Sequence, residues 1–149
     1  MSNYIGLMKK GNLLALMSRI RESANRLIVE ELEANGVEGI VPSHGGIMTQ
    51  LFNAGSMTMN DLALAIHRTK PTVTVLVDKL VGCGYVKREK SADDSRVTYI
   101  VLTEKGRKLK PVFDAVTKKL NAALYKDLSD EEAGRLEAAL ERICGRTGC

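Results

Sequence analysis

The helical spacing of apolar residues is interrupted once along this chain, between Gly84 and Thr103. Before that stretch apolar residues recur every three or four positions, and within it they alternate with polar ones. The first spacing buries one face of a helix; the second buries one face of a strand. The change comes just past two glycines, Gly82 and Gly84, which suit a helix terminus. A chain patterned this way is constrained to pack helices against a short hairpin.

The segment before the hairpin carries two helix starts in close succession. Thr58 is a good N-cap, with Asp61 at the third helical position, and the helix is expected to run to about His67, burying Leu62 and Ile66. A tight break follows. Thr69 then caps a new helix with Pro71 in its first turn, where the missing N–H does no harm. Val73, Leu76, Val77 and Leu80 form its buried face, and the opposite face carries Lys70, Thr72, Thr74, Val75 and Lys79. Two strands are expected at 85–88 and 97–102. The polar residues from Glu89 to Arg96 lie between them and predict an extended, charged tip.

Long helices flank this unit. Residues 8–34 show a stripe of Met17, Ile20, Ala24, Leu27, Ile28 and Leu32, ended by Gly36 and Gly39. That stripe suits either a core helix or a subunit interface. A weaker helix at 42–53 starts with Pro42 and then meets Gly45 and Gly46, which cost about 1 kcal/mol each relative to Ala. Those glycines predict a close helix approach or the border of a cavity. Thr103 caps a long helix over 103–127, in which Pro111 either kinks the axis or splits off the first turn. Ser129 to Glu132 reads as a capping box for a last helix, striped by Leu136, Leu140 and Ile143.

The 149 residues suit a single domain. Charge is unevenly placed. Met59 to Lys110 holds half of the 22 Lys and Arg but only a third of the 18 Asp and Glu. That is the distribution expected if the middle of the chain faces phosphates. Cys83, Cys144 and Cys149 form neither a disulfide framework nor a metal-ligand spacing, which favours a reducing cytoplasm. Lys9 and Lys10 precede an apolar run, Leu13 to Met17, too short for a signal peptide or a membrane span. His44 and His67 have no Cys or His at ligand spacing, so no metal or cofactor is expected, and no nucleophile–base pair or phosphate loop points to an enzyme.

Two short helices, a tight turn and a hairpin stand in the order of a winged helix-turn-helix, in a mainly α (α+β) chain. The start of the second helix can enter a major groove, and Lys90 and Arg96 on the hairpin can reach phosphates or a minor groove. Residues 41–109 resemble the MarR family of multiple-antibiotic-resistance regulators. The resemblance is carried by Asp61-Leu62-Ala63, Lys70-Pro71-Thr72-Val73-Thr74, Leu76-Val77-Asp78-Lys79-Leu80, Gly84-Tyr85-Val86, Asp94-Ser95-Arg96 and Leu102-Thr103-Glu104-Lys105-Gly106.

The resemblance implies a homodimeric regulator of transcription, a repressor by family default, bound to a palindromic operator in double-stranded DNA. Helices at 8–34 and 111–146 would dimerise, and residues 42–110 would bind DNA. A small aromatic or phenolic effector would sit between the dimer helices and the winged helix, at a pocket the sequence does not name. Carried over by position, Lys70, Pro71, Thr72, Thr74, Val75 and Lys79 meet DNA from the helix. Lys90 and Arg96 meet it from the wing, with Asp94 bracing Arg96. Val75 and Ser95 stand where the family often has Arg, and Val41 where a capping Thr is usual.

Blander readings compete with these. Thr72 and Thr74 also suit a solvated surface, Lys87, Arg88 and Lys90 a solvated strand edge, and Asp94 with Arg96 a turn ion pair. Cys83 fits a semi-buried filler or a redox-sensing thiol. A winged helix used for protein–protein assembly is the other alternative, which the basic face disfavours.

Overall fold

The computed structural model describes residues 11–149. The expected helix start at residues 8–10, with Lys9 and Lys10, lies outside the described residues. In chain order the elements are α1 (Leu13–Ala34), α2 (Pro42–Ala54), β1 (Ser56–Thr58), α3 (Met59–Ala65), α4 (Lys70–Gly82), β2 (Val86–Lys90), β3 (Thr98–Leu102), α5 (Glu104–Arg107), α6 (Lys110–Tyr125) and α7 (Asp130–Thr147). The fold is the mainly helical winged helix-turn-helix expected from the sequence, with long helices at both ends.

Local chemistry explains most boundaries. Thr58, Thr69, Thr103 and Ser129 each accept a backbone N–H from the third residue onward, so all four expected caps are formed. At Ser129 the box is complete, because Glu132 also accepts the Ser129 N–H at 2.9 Å. The break between α3 and α4 is turned by His67, the one described non-glycine residue with positive φ, 52°. Gly84, at φ 78°, ends the α4 turn. Pro111 opens α6, and the turn before it is split off as α5.

The sheet departs from the expected two-stranded hairpin. β3 is its centre, paired with β2 from Val86 opposite Leu102 to Lys90 opposite Thr98, and with β1 from Ser56 opposite Val101 to Thr58 opposite Tyr99. A three-residue strand shows too little alternation to be read by period. β2 also starts at Val86 and reaches Lys90, so the strand occupies part of the expected tip.

One core joins these elements. Ile47, Met48 and Leu51 of α2, Leu62 of α3, Val73, Val77 and Leu80 of α4, and Ile100 of β3 are fully buried. Gly46 accounts for one of the two helix glycines. An added Cβ would lie 3.3 Å from Ile66 Cγ2, so α2 crosses close to the end of α3, whereas Gly45 faces nothing within 4 Å. Leu32 of α1 and Val116 of α6 are buried, and Lys119 of α6 pairs with Glu31 of α1. The far half of α1 is uncovered, with Met17 40% and Ile20 52% exposed, and α7 buries none of its residues.

Cys144 and Cys149 correct the expectation of unpaired thiols. They form a disulfide, with Cα atoms 4.9 Å apart. Five residues apart on a continuous helix the two side chains would point away from each other. Here Gly148 takes a left-handed conformation at the helix end and folds Cys149 back. Cys83 is the free cysteine. No helix among the described residues is long and apolar enough to cross a membrane.

Candidate nucleic-acid interface

The sequence-selected residues of α4 lie on its outward side. Lys70, Pro71, Thr72, Val75 and Lys79 are exposed and Thr74 is half-buried, while Val73, Val77 and Leu80 point into the core. The first turn of α4 is organised internally. Thr72 Oγ1 lies 2.9 Å from Thr69 Oγ1, and Thr74 Oγ1 donates to the Lys70 carbonyl at 2.9 Å. Both threonine hydroxyls are therefore engaged within the helix start.

The wing tip is compact rather than extended. Ser91 Oγ accepts the N–H groups of Asp93 and Asp94, and the Ser91 N–H donates to the Val97 carbonyl at 2.9 Å. Asp94 then grips Arg96 three ways. Its Oδ1 accepts the Arg96 backbone N–H at 3.0 Å and Nε at 3.1 Å, and its Oδ2 accepts Nη2 at 3.1 Å. The Arg96 side chain is nevertheless 89% exposed, so it is aimed but uncovered. These hydrogen bonds from Arg96 hold the Asp94 carboxyl below its ordinary value.

Helix and wing converge. Lys70 and Arg96 line one cleft of about 360 Å³, together with Thr58, Met59, Asn60, Val97 and Thr98. Lys90 stands at the end of β2, opposite Thr98. Among the described residues Lys70, Lys79 and Lys90 make no ion pair. Arg88 differs, because its guanidinium pairs with Asp78 and ties β2 to α4. It is therefore not a solvated edge residue. Lys87 is loosely paired with Glu89 at 3.8 Å, on the surface.

Several positions that fix this geometry carry no obvious sequence signal. Lys105 Nζ donates to the Cys83 carbonyl at 2.8 Å and lies 4.8 Å from the Tyr85 ring centroid. A cation there complements the carbonyl end of α4. Thr103 Oγ1 donates to the Gly84 carbonyl at 2.6 Å. Gly106 explains the glycine of the Leu-Thr-x-x-Gly run, since any Cβ would stand 2.0 Å from the Tyr85 carbonyl oxygen. Cys83 is half-buried against the backbone of Gly39, where an added Cβ would come 2.8 Å from its sulfur.

His44 takes over part of the cap that Val41 does not supply. Its Nδ1 accepts the Val41 N–H at 3.0 Å, and the ring is 4% exposed. Burial first, and the Lys79 charge second, push its pKa below the ordinary value. Among the described residues there is no cluster of three or more His, Cys, Asp or Glu able to hold a metal.

A second cleft, of about 460 Å³, opens between α2 and α6. Phe52 and Phe113 meet there edge to face, 5.4 Å between ring centroids, beside the Lys110–Asp114 ion pair.

Comparison with known proteins places this architecture. Residues 42–98 match the MarR family. The chain is 29% identical to the uncharacterized HTH-type transcriptional regulator YdgJ of Bacillus subtilis over 58% of its own length, and spans 51% of that protein. It is 30% identical to the uncharacterized HTH-type transcriptional regulator YcgE of the same organism, over 75% of this chain and 73% of that one. Among solved structures it superposes on S. aureus MepR, determined as a DNA complex, with a TM-score of 0.79 and 28% identity, covering 89% of this chain and 96% of the other. These relatives are transcription regulators rather than enzymes. The chain belongs to the MarR family of transcription regulators.

Proposed function

We propose that this chain is a sequence-specific duplex-DNA-binding regulator, acting in the cytoplasm as a homodimeric repressor on a palindromic operator. The observation that carries the reading is the convergence of Lys70 and Arg96 on one cleft, where the exposed start of α4 meets a wing tip braced by Asp94. A helix start offers backbone N–H groups and a positive dipole end to phosphate, and its side chains fit a major groove. The wing arginine reaches the adjacent minor groove. Lys90 adds a phosphate contact, and Lys79 lies on the outward face of α4. The winged helix-turn-helix, 42–110, binds DNA, and the terminal helices α1, α6 and α7 hold the dimer.

The cleft between α2 and α6 is the place for a small aromatic or phenolic effector. Phe52 and Phe113 offer ring edges and faces, and the Lys110–Asp114 pair beside them offers polar partners to a phenol hydroxyl. Filling it would bias how the winged helix sits on the dimer helices. A thiol switch at Cys83 is less favoured, because the sulfur is packed against Gly39. Protein–protein assembly is less favoured by the basic face.

Selection from a random duplex library, followed by mobility shifts on the enriched sequence, tests the reading. An inverted repeat bound in preference to scrambled duplex supports it. Equal binding to all duplexes, or none, refutes it.

A further inference from the structure

The outward face of α4 is unusual for a reader of bases in what it lacks. Between Lys70 and Lys79 it carries no Arg, Asn or Gln, the side chains that pair bidentately with guanine or adenine edges. Its one charged residue there, Asp78, is occupied by Arg88. The hydroxyls of Thr72 and Thr74 are engaged by Thr69 Oγ1 and the Lys70 carbonyl. What stands out is Val75, an apolar side chain left 68% exposed on a helix whose other valines are fully buried, Val73 and Val77, or partly buried against the core, Val81. It lies one turn beyond Pro71 and Thr72 and one turn before Lys79, on the side of the helix that carries the cations.

We infer that Val75 reads the 5-methyl group of thymine, so that specificity at the centre of each half-site rests on methyl contact rather than on hydrogen bonds. The thymine methyl is the one apolar feature that base edges present in the major groove. Opposite Val75 itself, cytosine offers an amino donor and guanine offers acceptors, and an apolar side chain satisfies neither; the free donors of this face, Lys70 and Lys79, stand a turn or more away along the helix. Burying Val75 against a methyl gives the exposed valine its partner and removes both apolar surfaces from water.

This rests on the DNA-binding reading above, and one experiment separates the two. The duplex selected by the wild-type protein is resynthesised with each thymine in turn replaced by deoxyuridine, which deletes the methyl and keeps the pairing edge. The wild-type chain and Val75→Ala are titrated against every duplex at one salt concentration. Loss of one buried methyl is expected to weaken wild-type binding about three- to fivefold at one or two thymines per half-site. Val75→Ala should bind the thymine and deoxyuridine duplexes equally at those positions. Because Val75 is exposed, the variant should keep the fold, which circular dichroism checks. A selected site that binds the wild type without regard to any thymine methyl overturns the inference alone, as does an undiminished deoxyuridine effect in Val75→Ala. Failure to select or bind any duplex overturns the inference together with the DNA-binding reading.

Discussion

Arg96 shows how a single side chain is prepared before any partner arrives. A free arginine loses rotamer freedom when it is fixed, a cost of up to about 2 kcal/mol. Asp94 pre-sets part of that geometry through three hydrogen bonds while leaving the guanidinium in water. Arg96→Ala is expected to weaken binding to specific and scrambled duplexes alike, by about 1–3 kcal/mol per half-site. Asp94→Ala should weaken it less, because the charge remains and only its aim is lost. Thr72→Ala is expected to cost less overall, because its hydroxyl is already engaged by Thr69. Wild-type affinity in all three variants would remove these residues from the interface. His44 makes the second prediction at this scale. Its pKa is depressed below the ordinary histidine value of 6.5, first by burial and then by Lys79. The unfolded chain therefore binds its proton more readily than the folded one. The stabilising contribution is present above pH 6.5 and is lost as pH falls through the depressed value. Denaturant unfolding at steps from pH 7.5 down to pH 5.5 should show stability falling in the wild type and a shallower fall in His44→Gln. Parallel slopes would contradict this.

At the scale of elements, legibility followed the strength of local chemistry. The starts of α3, α4, α5 and α7 were readable because a Thr or Ser hydroxyl there has one evident use, accepting a backbone N–H. The wing was readable because β3 is rich in β-branched and aromatic residues and a polar, turn-prone run separates it from Tyr85 and Val86; β1 was not, because three residues carry too little pattern. The outward face of α4 followed from helical spacing, and the bracing of Arg96 by Asp94 was what the family resemblance implied. The roles of Lys105, Arg88 and His44 did not, because each depends on a neighbour distant in sequence or on burial that periodicity does not encode. Gly106 lies between these cases. Its place in the motif was visible, but its reason is a tertiary contact with the Tyr85 carbonyl, made where α5 starts against the end of α4. Gly106→Ala is expected to destabilise the chain by about 1–3 kcal/mol, as overpacking does. Gly45→Ala, with nothing within 4 Å of the new methyl, should be neutral or stabilising by up to about 1 kcal/mol. Thermal unfolding of both variants checks the pair. Equal melting temperatures would show that α5 yields easily and that the close contact matters little.

For the whole molecule, the apolar residues left outside the core decide what is missing. Leu14 is 76% exposed, Ile20 52% and Leu136 47%, on α1 and α7, where a lone chain offers nothing to cover them. Scattered exposed apolar residues are ordinary, but a row of them along two terminal helices is a surface expecting a partner. A second copy supplies it by symmetry, since the same stripe is available on each chain. The chain mass is 16.3 kDa, so light scattering at micromolar concentration should give twice that value. Ile20→Glu combined with Leu136→Glu should halve it while leaving the winged helix folded, because both residues are exposed and neither belongs to the core. Dimerisation then has a reading in salt. If Lys70, Lys90 and Arg96 each neutralise a phosphate, a dimer makes six such contacts and log K should fall against log salt with a slope of about −5. The dissociated variant engages one half-site and should show a slope of about −3, with much weaker affinity for the full palindrome. A variant that is monomeric yet keeps the wild-type slope would mean that the charge contacts come from one chain alone, and that the terminal helices serve something other than placing two wings on one operator.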